Sequence, residues 1–192
     1  MAKYDVVGIG NAMGDVICQS EDAFLANMGI DKGIMQLIER ERAELLYGAM
    51  DNRVQAPGGS VANTIAGVAS LGLTTAFLGK VKDDPLGRFY AEGMVAEGIA
   101  FPNPPAAGDL PPTSRSMIFV SPDGERSMNT YLGAGADFDE ADVDVSVAGS
   151  ARYLFLEGYL YDKPQGKRAF AAAARACREG GGRSGISLSD PF

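Results

Sequence analysis

The 192-residue chain has no histidine, no tryptophan and only two cysteines. Without histidine, the Ser-His-Asp and Cys-His mechanisms are excluded, and so are most zinc sites. Cys18 and Cys177 are far apart in the sequence and form no Cys-x-x-Cys pair, so we predict neither a disulfide framework nor a cysteine metal site. Any chemistry must therefore use carboxylates, lysine or arginine, hydroxyls, backbone amides or a carboxylate-bound metal.

Long apolar runs and clustered positive charge are also missing. No stretch approaches the ~20 apolar residues that a membrane helix needs. The first ten residues, MAKYDVVGIG, lack the apolar core and cleavage site of a signal peptide, so we expect a cytoplasmic protein with no membrane partner. The net charge of −8 disfavours binding to nucleic-acid phosphates, and a small-molecule partner is predicted instead.

Short apolar runs alternate with helical patterns along the chain. The predicted strands cover residues 4–9, 74–80, 152–158 and 184–190. The predicted helices cover residues 39–50, 60–71, 86–97 and 164–179. This order predicts an α/β fold with a mostly parallel sheet and helices on both faces.

Four further segments have strand character without helices between them. Residues 113–121 and 125–132 flank the turn Pro-Asp-Gly and predict a β-hairpin. Residues 15–20 and 34–39 alternate in the same way. We expect these segments to form a small antiparallel lid, attached at the carboxyl end of the parallel strands and able to close over a ligand.

A glycine-rich turn, GIGNAMGD at residues 8–15, follows the first predicted strand. Its glycine spacing is one residue longer than the dinucleotide-binding fingerprint, whose last glycine opens a helix. The segment after Gly14, DVICQS, is rich in strand formers, which disfavours such a helix. A purely structural turn stays open, and so do Asn11 and Asp15 as polar groups that face a ligand.

A second glycine turn, APGGSVANTIAG at residues 56–67, leads into a helix of small residues. Gly58 and Gly59 let the backbone approach a ligand closely, and Ser60 is a candidate helix N-cap. The free amides at a helix start suggest a phosphate cradle. However, no P-loop lysine follows, and Asn63 suits a hydroxyl-bearing ligand equally well. A plain turn into a buried helix is the alternative.

Several stretches together resemble the ribokinase-like (PfkB) carbohydrate kinases. GGSVANTIAGVASLG followed by LGKVKDDPLG resembles the first signature of that family, and GIGNAMGDVI resembles its N-terminal strand. DGERSMNTYLGAGADF is similar to the lid strand of the adenosine-kinase-like branch. The resemblance implies a ribokinase-like fold and transfer of the γ-phosphate of ATP, with Mg²⁺, to a hydroxymethyl group of a sugar or nucleoside.

The resemblance also implies residue roles. Asp15 and Asn63 hydrogen-bond the hydroxyls of the acceptor, and Gly58 and Gly59 pack against its sugar ring. In the lid, Arg126 approaches the phosphates. The full acceptor site implied by the resemblance is Asn11, Asp15, Gly58, Gly59, Ser60, Asn63 and Glu157.

Two family features are missing from the sequence. No D-T-x-G-A-G-D stretch, which carries the catalytic base, occurs in the chain, and no N-x-x-E stretch occurs either. GAGAD at residues 133–137 matches the loop after the lid better, so Asp137 is not assigned as the base, and no metal ligand is assigned in the chain. We therefore expect residues 1–192 to form one incomplete domain, with the base and donor site beyond Phe192 and negligible turnover by the chain alone.

Two other functions stay open at this stage. A sugar- or nucleoside-binding module without catalysis would keep the acceptor residues. A nicotinamide-dependent oxidoreductase, with Glu39 as its ribose-binding acid, requires a helix that starts at Gly14, so extended backbone at residues 15–20 would exclude it. The identity of the acceptor and the pairing of lids into a homodimer also stay open.

Overall fold

The computed structural model describes residues 2–189, which form two β-sheets packed with helices. The first sheet is entirely parallel, with strand order β5-β1-β8-β9. Its strands are β1 (Tyr4–Ile9), β5 (Thr75–Leu78), β8 (Ala151–Glu157) and β9 (Arg183–Ser187). Four of the predicted strands are therefore confirmed, although residue 190 of the last prediction lies outside the described residues.

Helices cover both faces of the parallel sheet, because alternate residues of a strand point to opposite sides. On β5, Phe77 packs with α3 (Ser60–Ser70) and α4 (Pro85–Ala96). Its neighbours Ala76 and Leu78 pack on the other face with α5 (Val145–Gly149) and α6 (Pro164–Glu179). The predicted arrangement of helices on both faces is confirmed.

The second sheet, which we call the lid sheet, has the strand order β3-β7-β6-β2-β4. Its strands are β2 (Met13–Gln19), β3 (Met35–Leu37), β4 (Val54–Gly58), β6 (Ser114–Val120) and β7 (Arg126–Tyr131). One face of it packs on α1 (Asp22–Asn27) and α2 (Arg40–Ala49). The β6–β7 hairpin is confirmed, with Gly124 in the left-handed region at φ 85°.

The lid sheet differs from the prediction in two respects. It is mixed rather than antiparallel, because β2 pairs in parallel with β6, and β3 with β7. Only the strands joined by a tight hairpin are forced to run antiparallel; these other pairs are joined by long connections. Strand β4 was not predicted because Pro57 interrupts it, but β4 lies at the sheet edge, where proline is tolerated.

Short elements complete the description. Three 3₁₀ helices, Gly133–Asp137, Glu140–Asp142 and Gly158–Asp162, link the larger elements. They were not predicted, and neither were α1 and α5. No helix within residues 2–189 has both the length and the apolar character required to span a bilayer.

Asp84 links the start of α4 to the start of the lid hairpin. Its carboxylate caps α4 by accepting a hydrogen bond from the Gly87 amide at 2.7 Å. It also accepts from the amide and the hydroxyl of Thr113, at 2.9 and 2.8 Å. Since Thr113 immediately precedes β6, one carboxylate joins the parallel sheet's helix layer to the lid sheet.

We expect Asp84→Ala to lower the free energy of unfolding by about 2 kcal/mol, because it removes a helix cap and leaves buried donors unpaired. Urea denaturation measures the change. Asp83→Ala is the matched control: its ion pair with Arg88 is exposed and should contribute less than about 0.5 kcal/mol. Equal losses in the two variants would contradict the linking role of Asp84.

Candidate functional site

A cavity of about 580 Å³ lies between the carboxyl ends of the parallel strands and the lid sheet. Carboxyl ends of parallel strands are the usual place for ligand sites in α/β folds. The cavity brings together most of the residues that the sequence predicts for the acceptor site, together with Arg126, the predicted phosphate contact. Those in its wall are Asn11, Asp15, Gly59, Ser60, Asn63, Arg126 and Glu157.

Asp15 faces the cavity from β2 and is partly buried. Burial raises the pKa of its carboxyl from 3.8 to about 6, and the nearby Arg126 guanidinium lowers that pKa only in part. Gly58 is not in the cavity wall; it lies against Asp15, and any side chain at position 58 would overlap the Asp15 carboxyl. The predicted contact of Gly58 with the acceptor stays a prediction; in the structure, Gly58 contacts a side chain that lines the cavity.

Gly59 is the N-cap of α3 and has φ 106°, a conformation that favours glycine. A side chain there would also overlap the backbone carbonyl of Asn11. The prediction that Ser60 caps the helix is wrong, because Ser60 is already the first helical residue and its hydroxyl is turned away to donate to the Glu157 carboxylate. Asn63 lies exposed almost one turn further along α3, at the cavity wall.

Glu157 ends β8 and is only 1% exposed. Its carboxylate accepts hydrogen bonds from the backbone amide of Asn11 and from Asn11 Nδ2, the latter at 3.0 Å. It also accepts from Ser60 Oγ, and the Val61 amide favours its ionised form by lowering the pKa. Burial raises the Glu157 pKa, and these hydrogen bonds oppose that rise. Asn11 is 3% exposed, and its Oδ1 has no partner within the described part of the chain.

Arg126 opens β7 and is exposed at the cavity wall. Its charge acts on Asp15 from the lid, so the two residues approach the cavity with opposite charges. Its predicted approach to phosphates stays a prediction. Asp137 is absent from the cavity wall; its carbonyl accepts a hydrogen bond from Lys80 Nζ at 3.1 Å.

The inner face of the lid sheet also carries an apolar surface that the sequence reasoning missed. We call it the apolar wall. It consists of Met13, Met35, Leu37, Ile118, Met128 and Leu132. The residues come from different strands, so no single stretch of sequence displays the surface. The register of the sheet aligns it, since Met128 pairs with both Ile118 and Met35.

The conformation of the backbone after Gly14 excludes the oxidoreductase alternative. Residues 13–19 are strand β2, so no helix begins there to receive a pyrophosphate. Gly14 instead leaves room for Leu86, since a side chain at position 14 would meet Leu86 at 2.5 Å. Glu39 precedes α2 and is not in the cavity wall.

The resemblance also implies Mg²⁺ and ATP. Between residues 2 and 189, no group of three or more His, Cys, Asp or Glu side chains is arranged to hold a metal ion.

Comparisons with known proteins are consistent with the fold described above. The model of the pfkB family of carbohydrate kinases matches residues 26–192. The chain belongs to this family. A fructokinase from Klebsiella pneumoniae is 30% identical to it over 139 residues, which is 72% of this PfkB chain and 45% of the relative.

Two solved structures confirm the ribokinase-like fold of the PfkB chain. A probable sugar kinase from Rhizobium etli superposes with a TM-score of 0.91 at 45% identity, over 99% of this chain and 57% of the other. The adenosine kinase from Sinorhizobium meliloti superposes with a TM-score of 0.90 at 50% identity, over 98% of this chain and 57% of the other. The chain thus spans about half the length of the curated relative and somewhat more of each structure.

Asp15 gives the PfkB chain a testable pH dependence. Because its pKa is higher in the folded state than the ordinary 3.8, its contribution to stability is present at low pH and is lost as pH rises through about 6. We expect Asp15→Asn to be more stable than the unmodified protein at pH 8, by about 1–3 kcal/mol, with the difference shrinking toward pH 4.

Thermal and urea unfolding at both pH values measure this difference. Asp109→Asn is the control, since Asp109 is exposed and does not line the cavity. Destabilisation by Asp15→Asn at pH 8 would contradict the unfavourable burial of the Asp15 charge.

Proposed function

We propose that this PfkB chain forms the acceptor side of a kinase that transfers the γ-phosphate of ATP to the hydroxymethyl group of a nucleoside of the adenosine type. The observation that carries the proposal is the cavity, which combines hydroxyl-binding groups with the apolar wall. The 50% identical adenosine kinase supports the nucleoside acceptor; the fructokinase relative favours a free sugar as the second candidate.

The polar side of the cavity suits the ribose of such an acceptor. The Asp15 carboxylate can accept hydrogen bonds from two neighbouring hydroxyls, and the Asn63 amide can both donate and accept. Asn11 lines the same wall, and its buried Oδ1 has no partner among the described residues. Because an ionised carboxylate binds hydroxyls more strongly than a neutral one, ribose binding should favour the charged form of Asp15.

The apolar wall favours a base over a second sugar-like group. A free hexose carries hydroxyls around its ring, and placing them against methionine and leucine would leave polar groups unpaired. A purine presents two flat faces with little need for hydrogen bonds, and thioether sulfurs such as those of Met13, Met35 and Met128 contact aromatic rings favourably.

The chain does not supply every part of the proposed reaction. Transfer requires a base that removes the hydroxyl proton and groups that stabilise the charge on the phosphate. The D-T-x-G-A-G-D stretch that carries the base in the family is absent from these 192 residues, and Arg126 is the only one of the predicted site residues with positive charge. We therefore propose that the chain binds and orients the acceptor, that the donor and base come from elsewhere, and that the chain alone does not turn over. Homodimer formation through the lid stays a prediction.

We expect titration calorimetry to detect adenosine binding and at least 10-fold weaker binding of fructose and ribose. Asn63→Ala should weaken adenosine binding about 10-fold, as expected for the loss of one or two hydrogen bonds in a cavity. Thr64→Ala, the exposed neighbour outside the cavity wall, is the matched control. Fructose binding tighter than adenosine would favour the second candidate, and no binding of any of the three would overturn the proposed function.

The apolar wall predicts a second, selective effect. Met128→Gln should weaken adenosine binding by about 10-fold, because a polar amide then faces the base, and should change ribose binding less than 2-fold. Ile34→Gln is its control, since Ile34 precedes β3, is 48% exposed and does not line the cavity. Equal losses for adenosine and ribose in Met128→Gln would argue against a base at this wall.

A further inference from the structure

We propose that Glu157 is a positioning residue for acceptor binding: its carboxylate holds Asn11 and the first turn of α3, and Asn11 transmits the effect to the acceptor. The inference rests on the proposed function, since it concerns the same cavity. It replaces the expectation, implied by the family resemblance, that Glu157 itself contacts the acceptor.

The hydrogen bonds of Glu157 use most of its capacity as an acceptor. An ionised carboxylate has about four acceptor positions on its two oxygens. In this chain, Oε2 accepts from the Asn11 amide and from Asn11 Nδ2, while Ser60 Oγ donates to Oε1. Glu157 is also only 1% exposed, so an acceptor hydroxyl has little access to the position that remains.

Glu157 also occupies the anion position at the start of α3. The first amides of a helix have no helical partners, and an anion there is favoured by the helix dipole. The Ser60 hydroxyl belongs to this first turn and donates to Glu157, and the Val61 amide of the same turn lowers the Glu157 pKa. The cradle that the sequence suggested for phosphate is therefore filled by a side chain of the protein itself.

The backbone before Asn11 is adapted to the same carboxylate. A side chain at Gly10 would lie 2.8 Å from Glu157 Oε2, so only glycine lets the chain pass this close. The close approach allows Oε2 to accept from both the backbone and the side chain of Asn11. Glu157 Oε2 thus joins the segment that follows β1 to the end of β8.

The hydrogen bonds between Asn11 and Glu157 determine which atom of the Asn11 side-chain amide remains unpaired. Asn11 Nδ2 must face the carboxylate, since turning Oδ1 toward it would bring two oxygens together. Oδ1 is left buried and without a partner among the described residues, in a side chain that lines the cavity, and a buried unpaired acceptor would gain free energy from a ligand hydroxyl that reached it. Glutamine at position 157 would offer an NH₂ group and so permit the opposite orientation of Asn11.

A double-mutant cycle with adenosine as the probe tests this role. Calorimetry on the full chain would compare the unmodified protein, Glu157→Gln, Asn11→Ala and the double variant. We expect Glu157→Gln and Asn11→Ala each to weaken binding about 10-fold, and the double variant to be within 2-fold of Asn11→Ala alone. Thr64→Ala serves again as the control, and thermal unfolding confirms that each variant is folded.

The outcomes separate the two proposals. Two results would overturn the positioning role and leave the proposed function intact. In the first, the two losses multiply, so that the double variant binds adenosine about 100-fold more weakly. In the second, Glu157→Gln leaves adenosine binding unaffected. No adenosine binding by the unmodified chain would overturn the proposed function and this role with it. If Glu157→Gln does not fold, Ser60→Ala takes its place, because this change removes one donor to Glu157 and keeps the Glu157 charge. Adenosine binding that is about 3-fold weaker in Ser60→Ala, with no such loss in the Asn11→Ala background, supports the role. A loss of adenosine binding that persists in the Asn11→Ala background overturns the role.

Discussion

A buried carboxylate at the junction of two strands and a helix determines the geometry of the cavity. Glu157 is almost completely buried, and a buried charge is tolerated only when its hydrogen bonds are satisfied. The required donors come from the end of β1 and the start of α3. Satisfying Glu157 therefore holds three elements in one arrangement, and the cavity-lining residues Asn11 and Asn63 inherit their positions from it.

Burial raises the pKa of both carboxylates of the cavity, but the two carboxylates differ in their partners. Glu157 is surrounded by donors, and their hydrogen bonds oppose the rise. Asp15 has no such set of donors among the hydrogen bonds of residues 2–189, and burial, opposed only by the Arg126 charge, raises its pKa to about 6. Its ionised form is thus unfavourable in the empty cavity and is available to hydroxyl donors, which is a common conflict between stability and function at binding sites.

The sequence predicted the parts of the structure that depend on local pattern. Short apolar runs identified β1, β5, β8 and β9, and the paired glycines before α3 identified the turn at Gly59. It did not predict the apolar wall, because Met13, Met35 and Met128 lie on three strands and meet only through their register. It misassigned Ser60 for a similar reason: the hydroxyl bonds Glu157, which is 97 residues away in the chain.

The internal anion at α3 also bears on where a phosphate can bind in the proposed reaction. A transferred phosphate carries more charge than a carboxylate and needs free donors or cations. The first turn of α3 already serves Glu157, and a second anion beside that buried charge would be repelled. The phosphate must then approach from another side of the cavity, and Arg126 on β7 offers an exposed cation at the wall. The acceptor and the phosphate would therefore meet between the helix layer and the lid sheet, with α3 supporting only the acceptor.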